Sequence, residues 1–268
     1  MWLRVEHTTT FTYDAPIVEA YTELRMRPLD TGGQRCSSFR LTTVPAGVRV
    51  REYRDQLGNA ISHFDVLEPH ERLVVTARSD VFTPAELTGP PAVSALELHD
   101  YLRPTSYIAL DGEARRLATE SARSGTIEER ARALMAAVRG ALSYERGATT
   151  VQTAVDEVLA LGRGVCQDFA HVLIAACRCS GIPARYVSGY FHDPALAGEE
   201  AASHAWVDVF DERRGWISLD PTHDREQDER YVRVAVGRDY ADVPPTRGVF
   251  KGAAQESLGV QVEVQSLT

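Results

Sequence analysis

The clearest structural signal in this sequence lies between residues 162 and 177, which read Gly162-Arg163-Gly164-Val165-Cys166-Gln167-Asp168-Phe169-Ala170-His171-Val172-Leu173-Ile174-Ala175-Ala176-Cys177. From Phe169 to Cys177 the apolar residues recur at the spacing of an amphipathic helix. A pair of glycines precedes this pattern, and Gly181 follows it as a helix stop. We therefore predict a helix that begins at Cys166 and turns this residue toward the protein interior.

A cysteine at a helix N-terminus is well placed for nucleophilic chemistry. Unpaired N–H groups and the positive end of the helix dipole stabilise a thiolate, and the same N–H groups can hold an oxyanion. The alternative is that Cys166 is a small core residue, as free cysteines often are. That alternative suits Cys177 and Cys179 better, because they lie late on the helix. Their side chains point about 200° apart, which argues against a zinc site.

A hairpin further along the chain supplies a candidate base and its partner. Two stretches alternate at period two, from Ser203 to Phe210 and from Gly215 to Asp220. If Phe210 opposes Trp216, then His204 and Asp220 become diagonal neighbours on one face. A carboxylate there would orient the imidazole as in a nucleophile–base–carboxylate triad. Alternatively, His204 starts a strand and Asp220 forms a turn, with no shared role.

The remaining pattern indicates an α+β protein with two domains. Residues 3–82 alternate as strands, which favours an antiparallel β-sandwich. Breakers around residue 90 suggest a boundary there, with a β-rich domain at 1–90 and a catalytic domain at 91–268. In the second domain we predict helices at 112–122, 126–141 and 152–161, the second capped by Thr126. Strands follow from 184 onward, including Tyr231 to Val236 and Leu258 to Val264, and residues 194–202 suggest an exposed loop.

Charge and composition exclude several classes of protein. Lys+Arg 29 against Asp+Glu 38 gives a net charge of −9, and no basic run offsets it, so we expect no nucleic-acid partner. The sequence has no long apolar run and no signal-peptide pattern, so we expect a cytoplasmic protein without a membrane partner. The four cysteines suggest reduced thiols. None of the eight histidines has metal-ligand spacing, so we expect neither metal nor cofactor.

Four motifs resemble the transglutaminase-like superfamily, and more closely its bacterial members with a β-rich N-terminal domain. They are Gly164 to His171, Gly181 to Tyr190, Ser203 to Trp206 and Leu219 to Thr222. Outside this core, the stretches 7–13, 24–28, 55–59 and 237–244 also resemble that bacterial group. The resemblance implies a papain-like core of helices followed by an antiparallel sheet. It also implies catalytic roles for Cys166, His204 and Asp220.

The same resemblance raises several finer expectations. Animal transglutaminases have an aromatic second oxyanion donor before the cysteine, and Tyr144 is the candidate here, with a packed aromatic side chain as its alternative. Calcium dependence is not implied, because no EF-hand-type loop is present. Asp168 could cap the cysteine helix. Three further aromatic residues are candidates to line the cleft: Tyr186, Tyr190 and Trp206. For Tyr186 and Tyr190, core packing is the alternative.

We therefore expect an enzyme that forms a thioester on Cys166 from a protein, peptide or small amide substrate. Water as the acceptor would make it a protease or amidase, and a primary amine would make it a transglutaminase or amide synthase. The fold does not choose between them. A different class of function is a non-enzymic binding or scaffold protein on the same fold. The sequence leaves the oligomeric state open.

Overall fold

A computed structural model of the protein describes residues 1–88, 93–121, 124–194 and 203–267. Its first part consists of strands whose side chains alternate between buried and exposed positions, as the period-two pattern predicts. For example, Leu3, Val5 and His7 are buried on one face of the first strand. The six strands of this part are β1 (Trp2–Ile17), β2 (Glu19–Leu24), β3 (Arg35–Val44), β4 (Arg51–Arg54), β5 (Ala60–Val66) and β6 (His70–Phe82).

Within the described residues five α-helices follow, and the four predicted from periodicity are confirmed within a few residues. The predicted N-cap, Thr126, is also confirmed. Its hydroxyl accepts from Glu129 N–H, and the Glu129 carboxylate accepts from Thr126 N–H. The first helix was not predicted. The helices are α1 (Ala95–Asp100), α2 (Gly112–Ser121), α3 (Ile127–Ala141), α4 (Val155–Leu161) and α5 (Cys166–Cys179).

The fifth helix is the centre of this region and is buried along nearly its whole length. The strands of this region are β7 (Ser143–Tyr144), β8 (Arg163–Gly164), β9 (Ala184–Phe191), β10 (Ser203–Asp211), β11 (Gly215–Asp220), β12 (Arg225–Glu226) and β13 (Tyr231–Gly237). The last five form one sheet in the order β12-β11-β10-β9-β13. Helix α5 packs on this sheet, so that Phe169 and Leu173 share a core with Val207 and Leu219. A 3-10 turn at Tyr240–Asp242 follows β13.

Two last strands, β14 (Thr246–Lys251) and β15 (Glu256–Ser266), return to the N-terminal region. One sheet has the order β15-β1-β6-β3 and the other β14-β2-β5-β4. Residues from both sheets, including Ile17, Leu24, Phe64 and Val75, form one apolar core between them. The antiparallel sandwich predicted from the sequence is therefore present, with a strand from the C-terminal end in each sheet.

This pairing corrects the placement of the last strand. The stretch from Leu258 to Val264 was expected in the second domain, but β15 pairs with β1 along its length, from Leu3 opposite Ser266 to Tyr13 opposite Glu256. Strand pairing over such a separation in sequence has no local signature. The expected boundary near residue 90 lies outside the described residues, as does most of the expected loop at 194–202, and the division into two domains stays a prediction.

Among the described residues, no helix is both long enough and apolar enough to cross a membrane.

Candidate active site

Cys166 is the first residue of α5, as the sequence predicted. The chain enters the helix through Val165, whose backbone is extended and whose N–H donates to Asp168 Oδ2 over 2.7 Å. Thr149 Oγ1 donates to the same oxygen over 2.6 Å. Burial raises the pKa of Asp168, and these two hydrogen bonds oppose that shift. Asp168 therefore acts as the predicted cap of the cysteine helix.

The glycine before this helix start is required by a close approach. A Cβ atom on Gly164 would lie 2.7 Å from the Cβ of Asp168, closer than packed atoms allow. Gly164 also forms part of β8, which pairs in parallel with β7 and places Tyr144 directly opposite it. Gly164 comes two residues before Cys166, so the short β7–β8 pair brings Tyr144 near the nucleophile candidate. In the sequence, 22 positions separate Tyr144 and Cys166.

The environment of Cys166 differs from that of the other cysteine on the same helix stripe. Cys166 is half-buried and lines a cavity, whereas Cys177 is fully buried and its pKa is raised to about 12 by that burial. The backbone N–H groups of Cys166 and Gln167 donate no hydrogen bond to any described residue. Cys166 thus combines an accessible thiol with unpaired N–H donors, which a core cysteine would not need.

His204 and Asp220 meet through the hairpin register that the sequence predicted. Strand β10 pairs with β11 so that Phe210 lies opposite Trp216 and Asp208 opposite Ser218. His204 Nε2 then donates to Asp220 Oδ2 over 2.7 Å, with both side chains buried. Because this nitrogen is committed to the carboxylate, the other ring nitrogen of His204 is available for the thiol.

The protonation of His204 follows from these neighbours. Burial alone lowers the pKa of His204, but the hydrogen bond and charge of Asp220, together with the side chain of Cys166, raise it to about 10. The imidazole is therefore cationic at neutral pH. The same interaction places the imidazole of His204 beside the thiol of Cys166.

Asp220 is bound by more groups than the sequence indicated. Besides His204, Oδ2 accepts from Tyr231 Oη over 2.7 Å and from His223 Nδ1 over 2.8 Å. Oδ1 accepts the backbone N–H groups of Thr222 and His223. Burial raises the pKa of Asp220, but hydrogen bonds and charge from His204 and His223 outweigh this effect and hold it well below its usual range. The carboxylate is fixed and ionised.

His223 and Tyr231 were missed in the sequence. The turn after Asp220 brings His223 back to it at i+3, so the position of His223 was readable in principle. Tyr231 reaches Asp220 from β13, which is not adjacent to β11 in the sheet, so no local pattern could have found it.

Three ligand atoms of His204, Asp220 and His223 lie within 4.8 Å of one another, which makes these residues a potential metal group within the described chain. Both histidine nitrogens, however, lie 2.7–2.8 Å from one carboxylate oxygen. These are lengths of hydrogen bonds, and a shared metal ion would hold its ligand atoms further apart. The arrangement fits a hydrogen-bonded cluster better than a metal centre, and the expectation that the site holds no metal stays a prediction.

A cavity of about 960 Å³ opens over these residues. Its lining includes Cys166, His204 and His223, together with Tyr144 and Tyr186. Tyr144 is half-exposed there, at 51%, and its ring lies 6.5 Å from that of Phe169, so its role as an oxyanion donor stays a prediction. The C-terminal strand β15 also contributes to the lining, from Val262 to Gln265, and nothing in the sequence indicated this.

Two of the expected cleft-lining residues lie elsewhere. Tyr190 is buried where the five-stranded sheet meets the sandwich, and its hydroxyl lies 2.8 Å from His7 Nδ1. Trp206 is fully buried, packs edge-on against Tyr231 and donates from Nε1 to Gln227 over 3.2 Å. The structure therefore shows core packing for both, which was the alternative named for Tyr190. Strand periodicity gives the face of a residue, but not whether another layer covers that face.

Comparison with known proteins identifies the family of this chain. Residues 114–221 match the model of the Transglutaminase-like superfamily, and residues 3–82 match that of the Bacterial transglutaminase-like N-terminal region. The chain is 36% identical to the uncharacterized protein ML0607 of Mycobacterium leprae over 284 aligned residues, covering 100% of both chains. A stretch of 104 residues is 35% identical to the protein-glutamine gamma-glutamyltransferase of Pseudomonas aeruginosa, covering 34% of this chain and 16% of that one.

The fold has a solved counterpart. A crystal structure from Cytophaga hutchinsonii, described as a candidate cysteine protease, superposes with a TM-score of 0.81. The two proteins are 22% identical, and the match covers 100% of this chain and 91% of the other. At this identity the likeness shows a shared fold. Taken with the two family models and the full-length relative, it leads to one conclusion: this chain belongs to the transglutaminase-like superfamily.

Proposed function

We propose that the protein catalyses acyl transfer or amide hydrolysis through a thioester on Cys166. The observation that carries this proposal is the arrangement of three groups: an accessible thiol at a helix N-terminus, an imidazole beside it in the same cleft, and a buried carboxylate on the far side of that imidazole. The proposed roles are nucleophile for Cys166, general acid and base for His204, and positioning residue for Asp220.

In the first half-reaction, the thiolate sulfur of Cys166 attacks the carbonyl carbon of an amide, and the carbonyl electron pair moves onto oxygen. The N–H groups at the start of α5 support this oxyanion, and the hydroxyl of Tyr144 is the proposed second donor. His204 then gives its proton to the amide nitrogen as the C–N bond breaks. An amine or ammonia leaves, and the acyl group remains on sulfur as a thioester.

In the second half-reaction, neutral His204 takes a proton from the acceptor. The acceptor attacks the thioester carbonyl, and the C–S bond breaks with its electron pair returning to sulfur. Water as the acceptor yields a carboxylic acid, whereas a primary amine yields a new amide. Asp220 stabilises the cationic imidazole in both half-reactions and fixes the ring nitrogen that faces it.

The test uses a short glutamine-containing peptide amide with and without an added primary amine. We expect release of ammonia, and mass spectrometry of rapidly quenched protein should show an acyl adduct on Cys166. The products then distinguish acid from new amide, and so identify the acceptor. A Cys166→Ala variant is expected to lose both the adduct and the turnover.

Matched controls separate chemistry from folding. Cys177→Ala removes a buried thiol from the same helix, so it should lower stability without removing the adduct. Turnover that persists in Cys166→Ala would refute the proposal. A wild-type protein that forms no adduct with any amide, and whose thiol alkylation does not respond to His204→Ala, would favour the binding or scaffold function instead.

A further inference from the structure

The last strand of the chain borders the candidate active site. Strand β15 lies at the edge of its sheet, with β1 on one side and no strand of the described chain on the other. Its residues Val262 to Gln265 line the same cavity as Cys166 and His204. A strand edge and a nucleophile candidate therefore share one cleft.

The pairing register shows which backbone groups of β15 point away from β1. Leu267 N–H donates to Trp2 O over 2.9 Å, so the odd-numbered residues of β15 make the backbone hydrogen bonds to β1. In an antiparallel pair the alternate residues direct both N–H and C=O outward. Val260, Val262 and Val264 are such residues. Val264 confirms the direction, because its carbonyl accepts from His192 Nδ1 over 3.1 Å, and His192 also lines the cavity.

Val260 and Val262 both keep outward backbone groups unpaired within the described ranges, and of these two Val262 lines the cavity. Its N–H and C=O make no hydrogen bond to any residue within the ranges that the structure describes. The side chain of Val262 points instead toward the core, where Val262 and Val264 pack against the apolar cluster that contains Leu3 and Val5. An open strand edge with fixed geometry is a template for another extended chain.

We propose that the substrate is an extended polypeptide that pairs with the outward edge of β15 at Val262. The paired chain would run through the cleft and present an amide to Cys166. This inference rests on the proposed function and names its substrate class. The shared cavity favours a substrate chain over other occupants, because a strand paired with Val262 lies inside the cleft that contains the thiol. Main-chain pairing would give affinity with little dependence on sequence.

One test leaves the protein edge intact and changes the ligand. A glutamine-containing peptide of about ten residues with β-branched neighbours, a length suited to one strand, is bound to the Cys166→Ala protein and followed by fluorescence anisotropy. N-methylation is then moved along the peptide one residue at a time. We expect affinity to fall about three- to tenfold at alternate positions and to change little between them, since one hydrogen bond is lost at each facing amide.

A second test changes the protein edge. Val262→Pro removes the outward N–H, a change that edge strands tolerate, whereas Val262→Ala shortens the side chain and keeps the N–H. On the Cys166→Ala background we expect about three- to tenfold weaker peptide binding in the proline variant than in the alanine variant. Circular dichroism and melting temperature check that both variants fold. The N-methylated peptides are bound to a protein with an unchanged edge, so they still test the strand pairing if the proline variant does not fold.

The outcomes distinguish the substrate class from the chemistry. No period-two pattern in the methylation series, or equal peptide affinity of the two Val262 variants, would overturn the strand pairing. A concentration-dependent dimer that disappears in Val262→Pro while peptide affinity stays unchanged would assign the edge to a second copy and overturn it equally. If the proposed function is wrong, no Cys166 adduct will form with a small glutamine amide. Peptide binding can still be measured in that case, so the two failures are distinguishable.

Discussion

His223 Nδ1 lies 2.8 Å from Oδ2 of Asp220, the same oxygen that holds the proposed catalytic base. One carboxylate oxygen therefore receives two imidazoles and the hydroxyl of Tyr231. The ring of His223 lies 5.0 Å from that of His204, and His223 also lines the cleft. His223 is thus in a position to influence the base through Asp220.

Replacing His223 tests this positioning role. We expect His223→Ala to lower kcat about three- to tenfold, because Asp220 loses one of the donors that fix its orientation. His223→Asn should recover most of that loss, since the Asn Nδ2 can take the place of the histidine Nδ1. Steady-state kinetics of the two variants makes the comparison. An alanine variant with unchanged kcat would show that the second imidazole is dispensable.

The His204–Asp220 pair should make stability depend on pH in the alkaline range. The pKa of His204 is about 10 in the folded protein, above the value of 6.5 for a free imidazole. The cation therefore stabilises the fold fully below about pH 6.5, and this contribution is lost as pH rises through about 10.

Urea unfolding followed by circular dichroism measures this effect. From about pH 7 to about pH 10, the free energy of unfolding should fall more in the wild-type protein than in His204→Gln, which has no charge to lose. If the two proteins decline in parallel, the imidazolium contributes nothing to stability over this range.

Tyr144 is the proposed second oxyanion donor, held beside Gly164 by the short parallel pair β7–β8. We expect Tyr144→Phe to lower kcat by roughly a hundredfold, as loss of one oxyanion donor does in related chemistry. Alkylation of Cys166 by iodoacetamide forms no oxyanion, so its rate should not change. A fall in both rates would point to a displaced helix start and would remove Tyr144 from the proposed mechanism.

Gly164 should tolerate no side chain, because a Cβ atom there would displace the Asp168 cap of α5. We expect Gly164→Ala to destabilise the fold by about 1–3 kcal/mol and to slow alkylation of Cys166. Gly140→Ala is the matched control. Apart from its chain neighbours and the backbone of its own helix, no described residue has an atom within 4 Å of a Cβ placed on Gly140. Gly140 lies within α3, where alanine is the better helix former. Equal stability of the two variants would contradict the role given to the cap.

The sequence predicted those parts of the fold and site that depend on short-range spacing. The helical stripe from Phe169 to Cys177 located the start of α5 at Cys166, and period-two alternation located β10 and β11. The loop between these strands is short, so one assumed pair, Phe210 with Trp216, was enough to bring His204 to Asp220. Helix and hairpin geometry fix such relationships within about twenty residues of chain.

Only the tertiary structure decided which segments far apart in the chain contact one another. The sequence did not show that β15 pairs with β1 and borders the cleft, that Tyr231 donates to Asp220, or that a covering layer buries Tyr190 and Trp206. Local spacing determines which way a side chain points relative to its own helix or strand. Which segment lies against that side depends on how sheets and helices pack together, and periodicity in one segment carries no record of its distant neighbour.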